Sequence, residues 1–179
     1  LGTDILYSGT VSAAREGLMS GISGIALSLA SSQYHEFEAA ARFACSLVEF
    51  VDRSGLPTVM LLNVNIPPVP AAEIVGTTLA RQGIRRYTDA FEKRADPRGK
   101  TYYWLAGEVM EELDEQPEHP LPIDLKAIRQ NYITITPLQY NLTCMAGLET
   151  LDRGSVLKQL TSDFPAALAQ PLPRSIAHP

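Results

Sequence analysis

The sequence predicts an α/β domain built on a mainly parallel sheet. Strand-length apolar runs alternate with amphipathic helical stretches over the first 66 residues, and the connections between them are short. The second of these runs shows little polar alternation, as expected of a strand covered on both faces. At 179 residues the chain is long enough for one well-buried domain with an appendage and rather short for two.

The elements follow in order. Asp4 to Tyr7 reads as a short strand, which passes through Ser8-Gly9-Thr10 into a helix carrying Val11, Ala14 and Leu18 at spacings of three and four. Gly17, Gly21 and Gly24 punctuate the return to a second strand, Ile25 to Leu29. From Glu36 to Asp52, residues Phe37, Ala40, Ala41, Ala44, Leu47, Val48 and Val51 form a helical stripe ended by Ser54-Gly55. Pro57 to Ile66, with Asn63 and Asn65 inside it, is a buried strand stopped by Pro67 and Pro68. In a sheet of this type ligands bind at the carboxyl ends of the strands, so the Ser8 turn and the Asn63/Asn65 segment belong to one crevice.

Beyond Gly83 the character changes. Arg85-Arg86-Tyr87, the turn chemistry of Asp96-Pro97-Arg98-Gly99 and the aromatic run Thr101 to Leu105 predict a projecting β-hairpin over residues 84–106. A lone hairpin is poorly stable, so Tyr102, Tyr103 and Trp104 either anchor an interface or fill a core of their own. Glu111, Glu112, Asp114 and Glu115, followed by Pro117, Pro120 and Pro122, read as a solvated acidic loop. Ile123 to Gln130 makes two helical turns begun by Asp124, and Tyr132 to Thr136 alternates as a half-buried strand. Asn141 to Leu160 is moderately helical despite Gly147 and Gly154, and the proline-rich tail from Pro165 favours an extended arm.

Composition narrows the function. A net charge of -5 disfavours a surface that grips duplex nucleic acid, yet leaves room for one small phosphate pocket. No apolar run approaches the ~20 residues of a membrane span. Cys45 and Cys144 are isolated in apolar stretches and read as buried free thiols, which suits a cytoplasmic setting. The nucleoside triphosphate loop, the dinucleotide fingerprint and the Gly-x-Ser-x-Gly elbow do not occur. His35 and His119 have no partner at recognisable spacing and read as surface residues. Asp4 sits nearest the turn, but a lone carboxylate makes a poor cation site and suits a structural tie better.

Ser8-Gly9-Thr10 carries the chemistry. The first turn of a helix leaves N–H groups unpaired and carries positive dipole, so two hydroxyls beside a glycine there can receive a phosphoryl group. Ser8 can equally serve as a plain helix cap.

Taken together, Tyr7-Ser8-Gly9-Thr10-Val11 with Ala13-Ala14 and Glu16-Gly17, Asn65-Ile66-Pro67, Gln82-Gly83 with Tyr87, Asp96-Pro97-Arg98-Gly99 with Tyr103-Trp104, and Ile135-Thr136-Pro137-Leu138 before Thr143 resemble the SurE family of survival proteins. The resemblance implies metal-dependent hydrolysis of nucleoside 5′/3′-monophosphates, and a Rossmann-like three-layer α/β core with a protruding β-hairpin and a C-terminal arm. It implies phosphate binding by Ser8, Gly9 and Thr10. The divalent metal ion (Mg or Mn) is held in the family by two aspartates, a serine and an asparagine, all expected upstream of Leu1, so no metal ligand is expected in this chain. On this reading residues 1–82 are the C-terminal part of the core, 83–122 the hairpin and acidic loop, 123–142 a helix and strand returning to the core, and 143–179 an arm exchanged between subunits of a homodimer or homotetramer. The rival reading is a non-catalytic oligomerisation or phosphate-binding fragment.

Overall fold

The computed structural model describes residues 1–87, 91–105 and 109–153. In chain order a 3-10 helix (Gly2–Tyr7) precedes α1 (Gly9–Met19), β1 (Gly24–Leu29), α2 (Glu38–Ser54) and β2 (Leu61–Ile66). A short 3-10 turn (Ala71–Glu73) leads to β3 (Gly76–Leu79) and four ribbon strands, β4 (Ile84–Tyr87), β5 (Phe91–Ala95), β6 (Thr101–Leu105) and β7 (Val109–Leu113). Then come α3 (Asp124–Arg129) and β8 (Tyr132–Leu138). These lie in one compact unit, Leu1–Tyr140; a second, Asn141–Pro179, contains α4 (Met145–Arg153).

The central sheet has the order β1-β2-β8-β3. β1 runs parallel to β2 and β3 parallel to β8, while β8 lies antiparallel to β2, so the α/β sheet is mixed and mainly parallel. Period-two alternation divides its side chains between two layers. On one face Ala26, Leu61 and Leu138 meet Val11, Ala14 and Leu18 of α1, with Ile5 completing the cluster. On the other, Leu62, Val64, Ile66 and Ile133 meet Ala40 of α2, with Ile25, Leu27, Phe43 and Leu47 packed around them. All six residues of β2 are buried. The sheet therefore lies between α1 and α2, the three-layer arrangement expected.

The α1 face changes character along the strands. Past Ala26, Leu61 and Leu138 the same-face positions are Ser28, Asn63, Asn65, Thr136 and Thr134. The alternation expected for Tyr132 to Thr136 is present, but its threonines are fully covered rather than solvent-facing: Thr134 and Thr136 are both buried.

Asp4 to Tyr7, expected as a strand, is a 3-10 helix. A four-residue apolar run cannot separate strand from helix by periodicity, and here long-range bonds decide. Gly2 adopts φ 52° and donates its N–H to the buried Asp124 carboxylate at 2.7 Å, which turns the chain at once. Only Ile5 of the run enters the core.

The ribbon is longer than the hairpin expected over 84–106. β5 pairs with β6 near the Asp96 turn, and β4 pairs with β7 below it. Glu111 and Glu112, expected in a loop, are strand residues of β7. Each stands opposite an arginine, Arg86 and Arg85 respectively, and cross-strand ion pairs give the carboxylates partners that a loop would leave to water. At the tip Asp96 accepts from the N–H groups of Arg98 and Lys100, and Gly99 takes φ 80°. The thiols of Cys45 and Cys144 are exposed, not buried, because Cys45 falls on the outer face of α2 and Cys144 immediately before α4. The helical reading beyond Arg153 and the extended tail from Pro165 lie outside the described residues.

Candidate functional site

Ser8 is the hinge of the site. It ends the 3-10 helix with φ -80° and ψ 119° and caps α1, its Oγ accepting from the Val11 N–H at 3.3 Å. Its carbonyl receives the first helical bond, from the Ser12 N–H at 2.9 Å. The N–H groups of Gly9 and Thr10 thus have no intrahelical acceptor and face the positive end of the helix dipole. At Gly9 an added Cβ would meet nothing within 4 Å, so the turn stands open.

Beside the turn lies a cavity of about 250 Å³, lined by Ser8, Ser28, Ser31, Asn63, Asn65 and Arg85 among others. The expected crevice at the strand ends is therefore present: the structure brings Ser8 together with Asn63 and Asn65. Gly9 and Thr10 are exposed next to it and do not line its wall. The loop after β1 is shaped by Ser31, whose Oγ accepts from the N–H groups of Gln33 and Tyr34.

Arg85, which the sequence marks only as the start of the ribbon, is the charged side chain among the residues that line this cavity. Its guanidinium pairs with Asp4 at 2.6 Å and with Glu112 at 3.3 Å. Its backbone N–H and carbonyl are both bonded to Thr3 Oγ1. Burial works against the charged form of Arg85, but the neighbouring Tyr87 hydroxyl and Asp4 carboxylate outweigh it and hold the guanidinium protonated. Tyr87 donates to Asp4 at 2.8 Å, and its own pKa is pushed above 10.0, first by burial and then by that bond to Asp4. Asp4 is thereby the tie between the N-terminal turn and the base of the ribbon. Glu112 also pairs with Arg129.

The other predicted residues lie apart from the cavity. Tyr102, Tyr103 and Trp104 are 41%, 64% and 53% exposed on β6, with Arg94 stacked 5.0 Å from the Trp104 ring, so they do not fill a core of this chain's own. His35 and His119 are exposed. Among the described residues no three His, Cys, Asp or Glu side chains gather where they could hold a metal ion. No described helix is long and apolar enough to cross a membrane.

A family model described as Survival protein SurE matches residues 1–89. The 5′-nucleotidase SurE of Cyanothece sp. is 59% identical over 155 residues, covering 84% of this chain and 57% of that protein. The chain belongs to the SurE family. A second SurE relative, the 5′-nucleotidase SurE of Nostoc sp., is 58% identical over 156 residues, covering 84% of this chain and 58% of its own length. The crystal structure of the SurE protein from Aquifex aeolicus aligns with a TM-score of 0.63 at 38% identity, covering 85% of this chain and 60% of that one. The chain thus spans less than two thirds of the SurE proteins it matches.

Sequence reasoning placed Asn63 and Asn65 in the crevice without giving them a task. The signal was two asparagines at alternate positions of an otherwise apolar strand, Leu61-Leu62-Asn63-Val64-Asn65-Ile66.

Proposed function

We propose that this chain supplies the phosphate cradle of a phosphomonoesterase that releases phosphate from nucleoside 5′/3′-monophosphates. The observation that carries the reading is the open helix N-terminus at Ser8-Gly9-Thr10, set beside a cavity whose wall includes Ser8 and Arg85. The 5′-nucleotidase naming of the SurE relatives supports the substrate class. Hydrolysis of a monoester places negative charge on the phosphoryl oxygens, and preorganised donors lower the barrier by receiving it. The Ser8 and Thr10 hydroxyls and the free N–H groups of the turn are such donors.

A divalent cation, magnesium or manganese, would polarise the same oxygens when bound. The described residues do not fit a site for it: Asp4 is engaged by Arg85 and Tyr87, and no cluster of ligating side chains surrounds the cavity. We place its ligands outside the described residues. Assembly into a homodimer or homotetramer through Tyr102, Tyr103 and Trp104, and a cytoplasmic setting, complete the proposal.

In the intact protein, replacing Ser8 and Thr10 together by alanine is expected to lower phosphate release from a nucleoside monophosphate by about a hundredfold or more, measured colorimetrically with manganese present. Unchanged turnover in the double variant defeats the cradle. Binding of the nucleotide with no phosphate release by the unsubstituted protein would instead establish a binding fragment without catalysis.

A further inference from the structure

The α1 face of the sheet ends in four buried polar atoms that have no hydrogen-bond partner: Nδ2 of Asn63 and of Asn65, and Oγ1 of Thr134 and of Thr136. The register sets them as two cross-strand pairs, Asn63 opposite Thr136 and Asn65 opposite Thr134. All four residues are at most 4% exposed. Buried side-chain amides are ordinarily paired, so an orphaned pair on adjacent same-face positions calls for a partner that folding alone does not provide. The strands themselves do not demand polarity. One step along the same face the same two strands carry Leu61 and Leu138, packed in the apolar cluster under α1. Polarity begins where the cavity begins.

Asn63 and Asn65 line that cavity, and so does Arg85, whose Nε is likewise buried without a partner. The remaining guanidinium nitrogens of Arg85 are taken by Asp4 and Glu112. What the wall offers is three unpaired N–H donors and no described carboxylate of its own. The chemistry complementary to such a wall is a group that only accepts, which is the set of oxygens on a phosphate. We propose that Asn63 and Asn65 are ligand-binding residues, their Nδ2 groups donating to phosphate oxygens so that the site extends from the Ser8 turn onto the sheet; this rests on the phosphate reading given above.

The test is calorimetric titration of the intact protein with orthophosphate in magnesium buffer, together with thermal melts, for the unsubstituted chain and for Ser8→Ala, Asn63→Leu, Asn65→Leu and Asn65→Asp. Leucine nearly matches asparagine in size and removes the orphaned donor, so Asn63→Leu and Asn65→Leu are expected to melt no lower than the parent while binding orthophosphate about tenfold more weakly or worse. Asn65→Asp keeps the shape, sets a carboxylate against the anion and weakens binding further. Asparagine variants that keep full affinity while Ser8→Ala loses it overturn this inference and leave the phosphate reading standing. Parent protein that takes up no orthophosphate at millimolar concentration overturns both. Should either leucine variant unfold, Asn65→Asp decides, and unchanged affinity in that folded isostere rejects the assignment.

Discussion

The carboxylate of Asp124 accepts three backbone N–H bonds at once, from Gly2 at 2.7 Å and from Gly83 and Leu125 at 2.9 Å. The residue is fully buried, so no water can replace it. Cutting it back to alanine strands three donors and is expected to lower unfolding free energy by about 3 kcal/mol, read from urea denaturation of the purified chain. Sequence alone marked Asp124 only as the start of a helix, because a carboxylate at such a position usually faces the dipole of its own first turn. Its larger task depends on Gly2 and Gly83, which lie far away in the chain and announce nothing about meeting there. The same limit governs the cavity. Ser8 was legible because a cap and its turn are local, whereas Arg85 reaches the cavity through Thr3 and Asp4, contacts separated by some eighty positions.

Elements were readable where their own residues decide them. The stripe of α2 and the apolar run of β2 each carry enough periodic or continuous apolar sequence to fix their type, although Ala40 is the one residue of α2 that is buried and Phe37 and Val48 are exposed; their order implies the parallel β1–β2 crossover. The opening 3-10 helix was not, since four apolar residues suit either form until Gly2 and Asp124 are seen to turn the chain. The acidic stretch reads as a loop for a related reason: the arginines that stand across from Glu111 and Glu112 in the ribbon, Arg86 and Arg85, are some 25 positions away in the chain. The packing of α1 on β1 gives a prediction at this scale. A Cβ added at Gly24 would lie 2.4 Å from the Ala14 carbonyl oxygen, a backbone atom that cannot swing aside. Gly24→Ala is expected to cost about 2 kcal/mol of stability, measurable as a lowered denaturation midpoint with unchanged slope.

At the level of the whole molecule, the described surface exposes large aromatic side chains on both strands of the ribbon tip. Phe91 is 65% exposed on β5, beside the three exposed aromatics of β6. In the second unit α4 leaves Met145, Leu148 and Leu151 uncovered at spacings of three. Aromatic residues of this kind anchor protein interfaces when another surface covers them. Under the assembly proposed above, Tyr103→Ser combined with Trp104→Ser is expected to lower the sedimentation coefficient in sedimentation velocity while leaving the circular dichroism unchanged; an unaltered sedimentation coefficient rejects the ribbon as an assembly surface. The close seat of α1 reaches beyond stability. Ser8 opens the same helix whose middle, at Ala14, is pressed against the bare backbone of Gly24, where a hydrogen atom stands in place of the β-carbon of every other amino acid. In a random library screened for loss of orthophosphate binding with the fold retained, codon 24 should surface among the hits although Gly24 does not line the cavity, as a distant lever that pries the mouth out of alignment.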